Sequence, residues 1–310
     1  MDMIYGERIG LLGSGSYGKV HLVKIISSDS WCGRLIAEKS CEEELGESLV
    51  KEKEILEQFP GSPHIIQTYG CSTSFDYYET KVFSLFLELA NGGNLLDLMA
   101  DYGGKIPEQH VKSYAQMILK ALVEIDSRGL VHSDLKPANI LVFHHQDCNT
   151  MPILKIADFG LVKLSGVKDT DSWEYGFRGT APYMSPESIN GEISGALDVW
   201  SLGCIIIEMI TGQMAWNYRG IEDLREKLLS GKKPEIPQNM SVWGKDFLER
   251  CLARDANRRW SARRLLYHPF LLLQPIPEMV FLPHQLMSST RIATNFSEES
   301  RPRQEFLACC

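Results

Sequence analysis

The chain has 310 residues, 44% hydrophobic and 23% charged. That length has room for two domains, or for one large domain with lobes, at roughly 150 residues each, and the ordinary apolar and charged fractions exclude a chain disordered throughout. A formal net charge of −8 and a pI near 5.6 exclude nucleic-acid binding through bulk positive charge.

The one dense basic cluster, Arg258, Arg259, Arg263 and Arg264, reads as a solvated or salt-bridged face. The eight cysteines form no C-x-x-C pair and are too sparse for the disulfide framework of a small secreted chain. They are expected as reduced thiols of the cytoplasm or nucleus. Met1–Gly10 carries acidic residues and no apolar run, so no secretory signal is expected there. The longest apolar stretch, around Leu202–Ile210, contains Glu208 and falls far short of the roughly 20 residues of a bilayer span. Cys309-Cys310 lacks the C-a-a-X spacing of a prenylation signal and is expected as two exposed thiols.

In chain order, Ile9–Leu12 and Val20–Ile26 flank a glycine-rich turn and predict a hairpin. Arg34–Lys39 predicts a third strand. Leu45–Phe59 has apolar residues at helical spacing among many charges, and Pro60-Gly61 ends it. Ile65–Tyr69 and Val82–Leu89 predict two further strands. Asn91-Gly92-Gly93-Asn94 is a break, beyond which the pattern turns helical. Glu108–Ser127 shows a clear apolar face through Val111, Tyr114, Ala115, Ile118, Leu119, Leu122 and Ile125. Leu197–Thr211 is apolar nearly all round and is expected at the centre of a core. Shorter helices are expected at Ile221–Leu229, Val242–Leu252 and Ser261–Leu266. From about residue 273 the pattern decays into Pro275, Pro277, Pro283 and Pro302 with scattered Ser and Glu, which predicts a disordered tail.

Four strings carry chemistry. Gly13-Ser14-Gly15-Ser16-Tyr17-Gly18-Lys19-Val20 is a G-x-G-x-x-G-x-V loop, in which glycines let backbone amides approach phosphates. Because Val20–Ile26 continues as a strand, the loop is the tip of a hairpin, unlike a dinucleotide-binding turn that leads into a helix. Val131-His132-Ser133-Asp134-Leu135-Lys136-Pro137-Ala138-Asn139-Ile140-Leu141-Val142 comes next, then Asp158-Phe159-Gly160. Gly179-Thr180-Ala181-Pro182-Tyr183-Met184-Ser185-Pro186-Glu187 follows, with Asp198-Val199-Trp200 behind it. Together, and in this order, they resemble the eukaryotic protein kinases over about residues 6–272.

The resemblance implies an α+β, bilobal protein kinase fold. A small, mainly β lobe with one helix would span 1–90, a larger, mainly α lobe 91–272, and the tail 273–310. It implies ATP and Mg²⁺ as cofactors. Gly13, Gly15 and Gly18 would cover the phosphates, and Lys39 would hold the α and β phosphates with Glu52 as its helix partner, Glu54 being the alternative. Leu87 would gate the adenine pocket and Glu88, Leu89 and Ala90 would form the hinge, while Leu12, Val20, Ala37 and Leu141 complete the ATP-binding set. Asp134 would orient or accept the proton of the attacking hydroxyl, and Lys136 would neutralise the transferring group. Asn139 and Asp158 would be the magnesium ligands, hard oxygen donors that suit that ion. Glu187 would pair with Arg259, and Asp198 would brace the catalytic loop.

Lys136 and Thr180 resemble the serine/threonine branch. Further likeness to compact MEKK-like plant MAP kinase kinase kinases, in Ala37-Glu38-Lys39-Ser40 and in the Glu249–Leu252 and His268–Phe270 runs, implies a protein substrate that is a MAP kinase kinase, in stress or hormone signalling. No nucleic-acid partner and no transmembrane segment are expected, and the expected location is cytoplasmic or nuclear. A pseudokinase scaffold would be signalled by loss of Lys39, Asp134, Asn139 or Asp158, and none is lost. A receptor-like cytoplasmic kinase is the other alternative. One departure stands out: Ser133 occupies the place where many kinases carry an Arg that binds a phosphate on the activation segment. Activity is therefore expected to depend less on phosphorylation there.

Overall fold

Alternation of apolar and polar residues over the first ninety positions builds an antiparallel sheet, because successive side chains of a strand face opposite ways. A computed structural model of the chain describes residues 5–15, 18–27, 31–75, 79–145, 150–169, 179–272 and 307–309. The chain divides between Ala90 and Asn91 into two compact units, with Pro63–Ile65 belonging to the second and Leu307–Cys309 to the first.

The first unit holds β1 (Tyr5–Gly15), β2 (Gly18–Ser27), β3 (Leu35–Glu42), α1 (Glu43–Leu56), β4 (Thr68–Phe75) and β5 (Lys81–Leu87). The sheet order is β1-β2-β3-β5-β4. One face buries Val23, Ile25 and Ile36 beneath Trp31 and Phe86. On α1, Leu49, Glu52 and Leu56 are buried while Lys51 and Glu54 are exposed; steps of three and four keep the first set on one face. Gly18 has φ +115°, and a Cβ there would lie 2.1 Å from the Ser40 carbonyl oxygen, so the first turn of β2 requires glycine. A last short strand, β10 (Leu307–Cys309), pairs antiparallel with β4 and partners the edge that β4 otherwise presents. The rest of the expected disordered tail, 273–306 and 310, lies outside the described residues.

The expected strand at Ile65–Tyr69 is corrected. Ile65 and Ile66 are both fully buried in irregular backbone, with Ile65 forming a lone parallel bridge to Ile156, and β4 begins only at Thr68. Two adjacent buried residues mimic a strand by composition, but consecutive strand residues point to opposite faces.

In the second unit, Asn94 caps α2 (Leu95–Asp101) through a reciprocal box with Asp97, so the predicted break is also a helix start. The apolar stripe predicted for 108–127 is the buried face of α3 (Glu108–Ser127). Short antiparallel pairs follow: β6 (Leu130–Val131) with β9 (Lys163–Leu164), and β7 (Ile140–Phe143) with β8 (Ile153–Ile156). α4 (Ala196–Thr211) is buried continuously from Leu197 to Ile210. It buries two acidic residues, Asp198 and Glu208, and Glu208 accepts a 2.6 Å hydrogen bond from the Tyr183 hydroxyl. α5 (Ile221–Leu229), α6 (Val242–Cys251), α7 (Ala262–Leu265) and α8 (Pro269–Leu272) complete the unit. The basic cluster is part solvated and part salt-bridged: Arg258, Arg263 and Arg264 are exposed, the Arg264 guanidinium 3.8 Å from the centre of the Trp260 ring, while Arg259 is buried in an ion pair with Glu187. Among the described residues, no helix is long and apolar enough to cross a membrane.

Candidate active site

Two clusters of the predicted residues form, one in each unit. In the first, Gly13 and Gly15 lie at the end of β1, and a Cβ added to either would meet no protein atom within 4 Å. Neither has the positive φ that favours glycine. The fold itself does not demand glycine at these two positions, and the open space beside them leaves room for a ligand to approach the backbone. Lys39, on β3, places Nζ 2.7 Å from Oε2 of Glu52 on α1, with side-chain exposures of 11% and 1%. A cation this buried needs a partner, and Glu52 provides one; the alternative, Glu54, is on the exposed face. Ala37 and Leu87 are buried, Val20, Glu88 and Ala90 are half-buried, and Leu12 is exposed. The Glu88 amide donates to the Gln67 carbonyl at 3.0 Å, and the Glu88 carboxylate accepts from the Gln67 amide at 2.8 Å.

In the second unit the loop after β6 gathers a dense polar cluster. Asp134 is 6% exposed. Its Oδ2 accepts from Lys136 Nζ at 2.7 Å, and its Oδ1 from Thr180 Oγ1 at 2.8 Å. Lys136 also donates to Thr180 Oγ1 at 2.9 Å, so the hydroxyl relays between cation and carboxylate. Asn139 Nδ2 donates to the Asp134 carbonyl at 2.9 Å and to its Oδ2 at 3.2 Å. Three donors therefore fix one carboxylate. Thr180 matters here more than its position in a small-residue run announces; no periodicity marks it.

The same loop is anchored from beneath. His132 is fully buried. Its Nε2 lies 3.0 Å from the Ala157 carbonyl, which can only accept, so Nε2 carries the hydrogen and Nδ1 accepts the Asp134 amide at 3.3 Å. Asp198, in the first turn of α4, accepts the amides of His132 at 2.7 Å and Ser133 at 3.0 Å. Burial pushes the Asp198 carboxyl above its ordinary range, with His132 and the two amides opposing. Asp198→Asn would turn an amide NH₂ toward one of these N–H groups. It is expected to cost about 1–3 kcal/mol, checked by urea unfolding, and to lower kcat in the same preparation.

Asn139 and Asp158 are linked through backbone, the Ala157 amide donating to the Asn139 carbonyl at 2.9 Å. Asp158 has φ +65° and Ser133 φ +67°. Such values are uncommon for residues with a side chain, and they occur here beside Asp134 and at the second predicted metal ligand. Among the described residues no group of three or more His, Cys, Asp or Glu could hold a metal ion. An amide oxygen and one carboxylate nevertheless fit magnesium, which takes one or two protein oxygens and completes its shell with water and phosphate oxygens. Leu141, on β7, is half-buried.

The family model for the protein kinase domain matches residues 7–271. The chain belongs to the protein kinase family. This kinase is 35% identical over 291 residues to "Mitogen-activated protein kinase kinase kinase 17" of Arabidopsis thaliana, covering 92% of this chain and 74% of that protein. It is 36% identical over 279 residues to "Mitogen-activated protein kinase kinase kinase 18" of the same plant, covering 87% and 78%. It is also 30% identical over 275 residues to "Mitogen-activated protein kinase kinase 1", covering 86% and 73%. With its higher identities to the former group, it is a serine/threonine kinase of the MAP kinase kinase kinase type.

Proposed function

We propose that this kinase transfers the γ-phosphoryl group of ATP to serine or threonine of a protein substrate that is itself a MAP kinase kinase, in the cytoplasm or nucleus. The observation that carries the reading is the Asp134 cluster, in which every donor is in place around one buried carboxylate. In this reading Asp134 accepts the proton of the attacking hydroxyl. Lys136 offsets charge on the transferring oxygens. Thr180 holds both in register. Lys39, oriented by Glu52, binds the α and β phosphates, with amides at Gly13, Gly15 and Gly18 above them. Asn139 and Asp158 would hold magnesium, which supplies charge neutralisation at the phosphates.

The test is phosphorylation of kinase-dead MAP kinase kinases, with a generic substrate alongside. Lys39→Met is expected to lower kcat/KM by about 10²-fold, because the charge is lost while the chain length is kept. Transfer to the MAP kinase kinases that disappears in this variant supports the reading. Transfer to the generic substrate alone would keep the chemistry and overturn the substrate. A fluorescent fusion seen only in a secretory compartment or at a membrane would overturn the location.

A further inference from the structure

The absence of Arg at position 133 raises the question of what holds the segment after β9. Ser133 does not: its hydroxyl donates to the Val131 carbonyl of its own loop at 3.3 Å. Instead Lys163, paired across the strands with Val131, places Nζ 3.7 Å from Oδ2 of Asp169, with side-chain exposures of 28% and 9%. Ser133, Lys163, Asp169 and Thr180 line one cavity of about 40 Å³. Backbone contacts run alongside. The Ser165 amide donates to the Gly129 carbonyl, the Gly166 amide to the Ile193 carbonyl and the Asp169 amide to the Gly191 carbonyl, each at 2.8 Å. Gly191 has φ +72°, and a Cβ on it would lie 2.2 Å from the Asp169 carbonyl oxygen. The close approach at Asp169 is therefore specified from both sides.

We propose that Lys163 and Asp169 are positioning residues that clamp the described segment Lys163–Asp169 beside the catalytic loop through an ion pair present in the unmodified chain. The inference deepens the phosphoryl-transfer reading above and rests on it for its effect on rate. A phosphate clamp needs a cation from the catalytic loop and a dianion added later. Here the cation comes from β9, the strand paired with the start of that loop, and the anion is a carboxylate encoded at Asp169. Neither can be removed by a phosphatase. Both groups are monovalent and Lys is a compact point charge without a guanidinium fork, so the hold is weaker than a phosphate–arginine contact. Because Lys163 is partly exposed, salt also loosens it.

The experiment reads the clamp in two independent ways on the full chain. Hydrogen exchange of the Gly166 and Asp169 amides reports the segment directly, whether or not the protein is active. Asp169→Asn and Lys163→Met are each expected to speed that exchange about fivefold, the upper end for a partly exposed pair, and to lower kcat similarly with KM for ATP unchanged. The double exchange Lys163→Asp with Asp169→Lys restores both. Gly191→Ala speeds exchange without touching either charge. Treating wild type with phosphatase changes neither readout. The proposal is overturned if Asp169→Asn exchanges like wild type, if the double exchange fails to restore protection, or if phosphatase alone releases the segment. Wild type that protects these amides yet transfers no phosphoryl group would leave the clamp standing and fail the proposed function.

Discussion

Asp134→Asn is expected to lower kcat by about 10²–10⁴-fold, the usual contribution of a positioned general acid or base, while KM for ATP stays near its wild-type value. The substitution keeps shape and removes the negative charge. In wild type the Asp134 side-chain oxygens accept from Lys136, Thr180 and Asn139. Asparagine can present one acceptor oxygen to these donors, and its NH₂ must face another donor. The proton acceptor is lost, and Lys136 and Thr180 lose their common anchor. Single-turnover transfer, measured beside equilibrium ATP binding, separates the two quantities. Retention of more than a tenth of wild-type transfer would remove Asp134 from the proposed chemistry.

The second large effect is on stability. Glu187→Ala is expected to destabilise the protein by about 3–5 kcal/mol, the cost of stranding one member of a buried ion pair. Arg259 Nη1 and Nη2 reach the two oxygens of Glu187 at 2.5 and 3.1 Å. The Arg259 side chain is 0% exposed and that of Glu187 9%. The guanidinium also donates to the carbonyls of Ala196 at 2.6 Å and Ala253 at 3.0 Å, and lies 5.0 Å from the centre of the Trp200 ring. These contacts hold it in place when Glu187 is gone, so its charge stays buried. Replacing both partners with apolar residues of similar volume, as in Glu187→Met with Arg259→Leu, is expected to cost less than Glu187→Ala alone. Chemical unfolding of the single and double variants measures the difference. A single-variant loss under about 1 kcal/mol, the range of an exposed pair, would place the pair outside the core in energetic terms.

The residues that handle charge were the most legible part of the chain, because glycine, lysine, aspartate and asparagine at fixed spacing have few other uses in that order. Long elements were legible too: α3 buries a stripe whose helical period shows in the sequence, and α4 a run apolar nearly all round. Two-residue strands such as β6 and β9 carry no period at all. α2 receives no bounds of its own from the sequence pattern, since Asn94 both ends the break and caps a helix of only seven residues. The Ile65-Ile66 pair shows the opposite failure, a strand-like composition buried without a strand. Least legible were charge pairings that no motif announces. Nothing in the sequence ties Arg8 to Glu38, yet the guanidinium meets that fully buried carboxylate at 2.6 and 2.8 Å. Lys163 and Asp169 are close in sequence, but their meeting depends on the loop folding back toward Gly191.

The Arg8–Glu38 contact bears on how the first sheet finds its alignment. Glu38 and Lys39 are neighbours on β3 and face opposite ways, the first toward Arg8 and Ser84, the second toward Glu52. If β3 slid by one residue, each side chain would move to the other face. Slid one way, Lys39 would take the place that faces Arg8; slid the other way, Glu38 would take the place that faces Glu52. The opposed charges thus act as a key cut on both edges. A one-residue slip in either direction brings like charges together, and the native setting aims Lys39 at Glu52.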